Sequence, residues 1–201
     1  MTKQERLVLV VSILAAGVAF LDGAIVNVAL PAIQDNLGGG LATQQWVVDA
    51  YLLTLGSFIL LAGSVSDIFG RIKVLKLGLL GFGAASLLCA FAPSAEVLIL
   101  ARALQGIAGA FLVSSSLALT IAAFTGSAQS KAIGTWTAWT GIAFIIGPLL
   151  GGILIDQANW RWIFAINVFP ITLTLMLIKN ITMLRDNKTK TRLDLLGASL
   201  C

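Results

Sequence analysis

Six long apolar runs separated by short polar interruptions organise this chain. They cover approximately Leu7–Leu30, Trp46–Val65, Val74–Ala92, Val97–Phe124, Ile133–Ile155 and Trp162–Ile178. A helix needs about 20 mostly apolar residues to cross the roughly 30 Å hydrocarbon core of a bilayer, and each run is near that length. The interruptions carry helix-stop chemistry: Pro31, the Gly38-Gly39-Gly40 turn, the charged stretch Gly63–Lys73, Pro93-Ser94, the polar Thr125–Lys131 segment, and Gln157-Ala158-Asn159. The pattern predicts an all-α polytopic membrane protein in which residues 1–178 form a compact six-helix bundle. Residues 179–201 read as a cytoplasmic basic segment, densest over Arg185–Arg192, followed by Leu193–Cys201, which looks like the start of another apolar span cut short. The chain is therefore expected to be truncated.

Composition agrees with the pattern. Apolar residues make up 58% and charged residues 11% of the 201, against roughly 45–50% and about 25% in soluble domains. The net charge of +4 does not point to nucleic acid, because the bases sit in short loops and form no stripe along a helix. They read instead as topology signals. With the N-terminus inside, the inner segments hold Lys3, Arg6, Arg71, Lys73, Lys76, Lys131, Lys179, Arg185, Lys188, Lys190 and Arg192, while the outer loops hold Arg161 alone. Lysine and arginine are retained on the cytoplasmic side, so both termini are expected there. The chain has no histidine, which removes imidazole bases, Ser-His-Asp triads and most zinc sites. Cys89 and Cys201 form no metal or disulfide pattern and are expected to be reduced and incidental. No metal and no cofactor is expected, and the first apolar run is too long for a cleavable signal peptide.

A charge inside a span costs roughly 2.5–3.5 kcal/mol on insertion scales, which makes each one a functional candidate. Asp22 lies about 22 Å into the first span at 1.5 Å per residue, within the hydrocarbon. A carboxylate there is a natural reversible proton carrier. Asn27 is about 140° around the same helix, so it is expected to bond a neighbouring helix instead. Arg102, with Gln105 and Gly106 on nearby turns, is a fixed positive charge in the fourth span. Asp49, near the outer interface, reads equally as a wetted acid at a helix end or as a substrate contact. In the fifth span Gly141, Gly147, Pro148, Gly151 and Gly152 combine a small-residue face for close helix approach with a proline that removes a backbone hydrogen bond. The ends of the second and fifth spans echo one another: Gly63-x-x-x-Asp67 with Arg71 behind, and Gly152-x-x-x-Asp156 with Arg161 behind. On the predicted topology one cluster faces in and the other out, the outcome expected of a 3+3 inverted repeat.

Taken together, these residues resemble the major facilitator superfamily, and within it the fourteen-helix, EmrB/QacA-like branch of drug:proton antiporters. Leu21-Asp22 through Asn27 to Pro31 resembles the first-helix motif, and Gly63-Ser-Val-Ser-Asp67-Ile-Phe-Gly70-Arg71 the signature loop between helices two and three. Arg102-Ala-Leu-Gln105-Gly106 resembles the fourth-helix motif, and Gly147-Pro148-Leu-Leu-Gly151-Gly152 the antiporter motif of helix five. Trp160-Arg161-Trp162-Ile163-Phe164 with Asn167 is also similar to that branch. The chain departs from it at Ile68 and Ile72, where a base is usual, and at Pro170, one residue late.

The resemblance covers only the N-terminal half of the family fold. It implies alternating access, with protons exchanged at Asp22 beside Arg102 and Gln105 for outward release of a lipophilic, often cationic compound. Gly63, Asp67, Gly70 and Arg71 would form a cytoplasmic gate, with Asp67 facing a helix of a second bundle. The implied partners are the lipid bilayer, a small-molecule substrate, protons, and a missing C-terminal bundle or second chain. One charge moved through 100 mV supplies about 2.3 kcal/mol, and each pH unit about 1.4 kcal/mol, enough for one or two protons to drive substantial export. The alternative is a non-transporting half-module.

Overall fold

The structure is a computed structural model and describes residues 1–182. The expected basic segment at Arg185–Arg192, the apolar run from Leu193 and Cys201 lie outside the described residues. Every element is helical: α1 (Lys3–Leu37), α2 (Gly40–Phe69), α3 (Arg71–Ala90), α4 (Ala95–Ala123), α5 (Gly126–Gln157), α6 (Trp162–Ala165) and α7 (Val168–Ile178). The first five are long and apolar enough to cross a membrane. Thr2 starts α1 with a reciprocal cap, its hydroxyl accepting from the Glu5 amide at 3.2 Å while the Glu5 carboxylate accepts the Thr2 amide at 2.8 Å.

Several helix ends differ from the sequence expectation. Pro31 does not stop α1, which continues to Leu37. Proline takes away one backbone donor, and a helix that packs along its neighbours over a long length tolerates that loss. The stop is the glycine trio, with φ of 75°, 86° and 64° at Gly38, Gly39 and Gly40, values that side chains disfavour. The stretch Gly63–Lys73 is not a loop either: α2 runs to Phe69, α3 starts at Arg71, and Gly70 alone turns the chain at φ 95°. The sixth span is broken into α6 and α7. Pro170 cannot donate to the Ile166 carbonyl, which is met instead by the Phe169 amide at 3.2 Å, tightening the turn at Ile166-Asn167. Asn27 was expected to reach another helix, but it is exposed and its amide bonds its own backbone, to Gly23 at 3.0 Å and Ala24 at 3.4 Å.

The packing is reciprocal between the two triplets. α1, the first helix of the first triplet, lies mainly along α5, the second helix of the other; α4 lies mainly along α2. α4 also packs on α3, and α1 on α7. Glycines let both main pairs close. A side chain at Gly106 of α4 would collide with Thr54 and the Tyr51 carbonyl of α2, and a Cβ at Gly147 of α5 would stand 2.9 Å from the Ala24 Cβ of α1. Gly151 is similarly tight, 2.9 Å from Ile25. Gly141, Gly152 and Gly63 touch nothing within 4 Å, so Gly63 has no close-packing role among the described residues.

The apolar core is divided in two. One cluster holds Ala15, Ala19, Leu79, Phe82, Ala108, Leu112 and Ile171; the other holds Ile25, Ala29, Val47, Cys89, Leu98, Ala101 and Phe164. Along α1, α3, α4 and the sixth span the switch from one cluster to the other falls at a buried polar residue: Asp22, Ser86, Gln105 and Asn167. At the end carrying the α1–α2 turn, Arg161 donates to Asn36 at 2.9 Å and to the Ala92 carbonyl at 3.1 Å while stacking 4.3 Å from the Trp160 ring centroid. The two echoed charge clusters therefore differ in use, since Arg71 pairs with Asp67 but Arg161 bonds Asn36.

Replacing Gly106 with Val should overpack the α2–α4 crossing and cost about 1–3 kcal/mol. Gly141→Ala, with open space around it, should leave the chain unchanged. Thermal unfolding of the two variants in detergent checks this, and equal midpoints would contradict the crossing geometry.

Candidate functional site

The helical period brings Asp22 to the packed side of α1, between buried Val18, Ala19, Ile25 and Val26. Arg102 and Gln105, three residues apart, share the inner face of α4 with Leu98, Ala101 and Gly106. Ser86 and Cys89 repeat that spacing on α3. Asn167 sits at the tightened turn between α6 and α7. All six are buried, Asp22 at 0% and Arg102 at 1% exposure.

They form one network around the Asp22 carboxylate. Arg102 donates from Nη1 to Asp22 Oδ2 as a buried ion pair. Asp22 Oδ1 accepts from Gln105 Nε2 at 2.9 Å and from Asn167 Nδ2 at 2.6 Å. Gln105 Oε1 accepts from Arg102 Nη1 at 2.7 Å and from the Cys89 thiol at 3.5 Å. Ser86 Oγ accepts from Gln105 Nε2 at 2.8 Å and Asn167 Nδ2 at 3.4 Å. Arg102 Nε reaches α2, donating to the Val47 carbonyl at 3.1 Å, and the guanidinium lies 4.1 Å from the centroid of the Tyr51 ring. Tyr51 in turn donates to the Ala19 carbonyl of α1 at 2.8 Å. One carboxylate thus gathers donors from α4 and the sixth span, and its partners extend the network to α2 and α3.

The energetics follow from burial. Taking two charges out of water costs several kcal/mol per ion, repaid only when geometry and additional hydrogen bonds are good. Here both carboxylate oxygens are satisfied and the guanidinium has a carboxylate, an amide oxygen, a backbone carbonyl and a ring face. Such a pair contributes little net stability, but losing either member leaves a bare charge in the core. Chemically the arrangement holds one carboxylate under three donors, so a proton added to Asp22 would bear on its bonds to Arg102, Gln105 and Asn167 together.

The structure brings together Asp22, Arg102 and Gln105 of the sequence candidates and leaves the others apart. Asp67, exposed, and Arg71, half-buried, pair across the Gly70 turn at 3.1 Å, some 20 residues and about 30 Å along α2 from Val47. Asp49 is exposed on α2, outside the network. Gly147 and Gly151 face α1, with Pro148 between them in α5, whereas Gly141 and Gly152 face open space. Sequence reasoning missed Ser86, Asn167 and Tyr51 as site residues, and treated Cys89 as incidental although its thiol bonds Gln105. The available signal was a lone polar residue inside an apolar run, which Ser86 and Asn167 both are. Among the described residues no group of three or more Cys, Asp and Glu is placed to hold a metal ion.

Residues 12–195 match the family model described as the Major Facilitator Superfamily. The chain is 43% identical over 195 residues to the puromycin resistance protein pur8 of Streptomyces alboniger, covering 96% of this chain and 38% of that protein. It is 39% identical over 201 residues to the multidrug resistance protein Stp of Mycobacterium tuberculosis, covering 100% of this chain and 37% of that one. A 39% match over 168 residues to the multidrug transporter protein MdtP of Bacillus subtilis covers 83% and 31%. The chain thus spans under two fifths of the length of these curated relatives. The crystal structure of a peptide transporter POT (E310Q mutant) in complex with sulfate shares the fold, with a TM-score of 0.80 at 13% identity over 96% of this chain and 42% of that one.

Removing one member of the buried pair should be far more damaging than removing both. Arg102→Leu alone is expected to destabilise the chain by about 3–5 kcal/mol, and Arg102→Leu with Asp22→Asn by much less. Denaturation of the single and double variants in mixed micelles measures the coupling; additive effects would contradict the pairing.

Proposed function

The chain belongs to the Major Facilitator Superfamily, and we propose that it is the N-terminal bundle of a proton-coupled exporter of lipophilic, often cationic compounds. It is an integral membrane protein, and we read it as a carrier and not an enzyme. The observation that carries this reading is the Asp22 carboxylate, fully buried and shared by Arg102, Gln105 and Asn167. When Asp22 takes a proton, its charge-assisted bonds to Arg102 and the two amides weaken together. The ties from α1 to α4 and to the sixth span loosen, and the bundle can change shape around them. Arg102, always charged, is then free to hold the next acceptor or to repel a cationic substrate. Relatives whose names include resistance to puromycin, methylenomycin A and multiple drugs support the substrate class.

The orientation we propose places both termini in the cytoplasm of a bacterial cell. Lys3, Arg6, Arg71, Lys73, Lys76, Lys131 and Lys179 lie at the start of α1, the α2–α3 and α4–α5 turns and the end of α7, which alternation along the bundle puts at one end; Arg161 lies at the other. On this reading the Asp67–Arg71 pair belongs to the inner gate. A second bundle would dock on α2 and α5, whose Gly56, Gly63, Gly134, Gly141 and Gly152 have no close neighbour among the described residues and would allow close helix approach.

Everted membrane vesicles carrying the gene product test the proton role. Asp22→Asn is expected to lower proton-driven dye efflux at least tenfold with normal membrane insertion; full efflux would remove Asp22 from the coupling step. In the same vesicles Asp67→Ala is expected to slow efflux severalfold. The unpartnered glycines of α2 and α5 also favour a second reading, in which residues 1–201 alone do not transport and need a partner bundle. Expression of residues 1–201 by themselves, with oligomeric size and efflux both measured, is expected to give no transport by the monomer; robust monomeric transport would refute that reading.

A further inference from the structure

α2 and α3 each pack on α4 more than on one another, and a groove of about 610 Å³ runs along α3 and α4, bounded near the Gly70 turn by Val65 and Phe69 of α2. Its floor is made of residues with little or no side chain, Gly78 and Gly81 of α3 and Ala108 of α4, and Phe69 and Phe111 are among the larger residues on its walls. Among its lining residues only Lys73 carries a charge, and it stands at the end next to the Gly70 turn. From Lys73 to Leu88 the groove follows α3 for 15 residues, about 22 Å at 1.5 Å per residue. That is more than half the roughly 30 Å depth of the hydrocarbon core.

These dimensions and charges select an occupant. The 610 Å³ is drawn out over about 22 Å, so the groove is long and slender. A helix with its side chains is about 10–12 Å across and would lie over so slender a groove, whereas a single hydrocarbon chain lies within it. The helical backbone around the groove has no donors to spare, so the occupant is apolar along its length. At the mouth the charge is positive: Lys73 is exposed and makes no ion pair among the described residues, and Lys76 stands one turn further on. Arg71, by contrast, is engaged by Asp67 at 3.1 Å. We propose that this groove holds one acyl chain of an anionic phospholipid whose phosphate sits on the Lys73 ammonium. Bases between membrane helices on the cytoplasmic side suit anionic headgroups, and Lys73, the base that lines this groove, contributes about a fivefold preference. Placing the lipid in the inner leaflet rests on the orientation proposed above; labelling of introduced cysteines from either side of the membrane tests that orientation, and lipid binding in detergent does not depend on it.

The test is native mass spectrometry of the purified chain in neutral detergent, titrated with phosphatidylglycerol or phosphatidylcholine of identical acyl chains. The wild type is expected to retain phosphatidylglycerol about fivefold better than phosphatidylcholine. Lys73→Gln is expected to abolish that preference, while Lys131→Gln, at the distant start of α5, keeps it. Gly81→Leu, which fills the floor, is expected to lower retention of both lipids. Equal retention of the two lipids by the wild type, or a preference that survives Lys73→Gln, would overturn the proposal. If Gly81→Leu does not fold, the Lys73→Gln comparison decides alone.

Discussion

A carboxylate that cannot reach water must find its partners inside the protein, and this constraint at Asp22 fixes how the helices meet. Asp22 is fully buried, and its two oxygens are met by Arg102 and Gln105 of α4 and by Asn167 at the turn of the sixth span. Arg102 then anchors to α2 through Val47, and Gln105 to α3 through Ser86. Apolar side chains alone would let these helices slide, because packing between Leu, Ile and Ala tolerates many registers and lipid tails are as apolar as the core. The polar layer does not, since each amide and the guanidinium must face one carboxylate. It separates two apolar clusters and holds them at a common level.

The reciprocal pairing of α1 with α5 and α4 with α2 is the architecture in which such a layer arises. α1 and α4, each the first helix of its triplet, are the two central helices, and they carry the acid and the base respectively. Glycine at Gly106, Gly147 and Gly151 brings their backbones close to α2 and α5. The remaining glycines of α2 and α5, which have no close neighbour among the described residues, lie on helices that present much of their length outward. A bundle so built is cross-tied inside by the Asp22 network and leaves two flanks without close neighbours among the described residues.

Much of this was legible in the sequence, and the reason is cost. Asp22 and Arg102 stand out because a charge in an apolar run is expensive and therefore rare. Hydroxyls and amides are not distinctive in the same way. Thr140 and Ser86 look alike in sequence, yet Thr140 bonds its own helix at Trp136 whereas Ser86 joins the shared network. Asn27 and Asn167 are both single amides in apolar surroundings, and one folds back on its backbone while the other meets Asp22. Only tertiary packing separates the members of each pair. Helix ends were misread for a related reason: Pro31 and the charges at Asp67 and Arg71 interrupt the apolar pattern, but packing along neighbouring helices carries α1 past the proline to Leu37 and α2 to Phe69. The breaks at Gly38 to Gly40, which the sequence did announce, and at Gly70 are set by backbone freedom.

The most direct test of Asp22 as the shared acceptor is amide hydrogen exchange of the wild-type chain and Asp22→Asn, followed by mass spectrometry in micelles. Asparagine keeps the shape of the side chain and removes the charge that Arg102 and the two amides share. The expected result is faster exchange in the middle of α1 and α4 and at the α6–α7 turn, around Asp22, Arg102 and Asn167, with the apolar cluster of Ala15, Leu79 and Leu112 still protected. Exchange indistinguishable from the wild type in all three segments would contradict it.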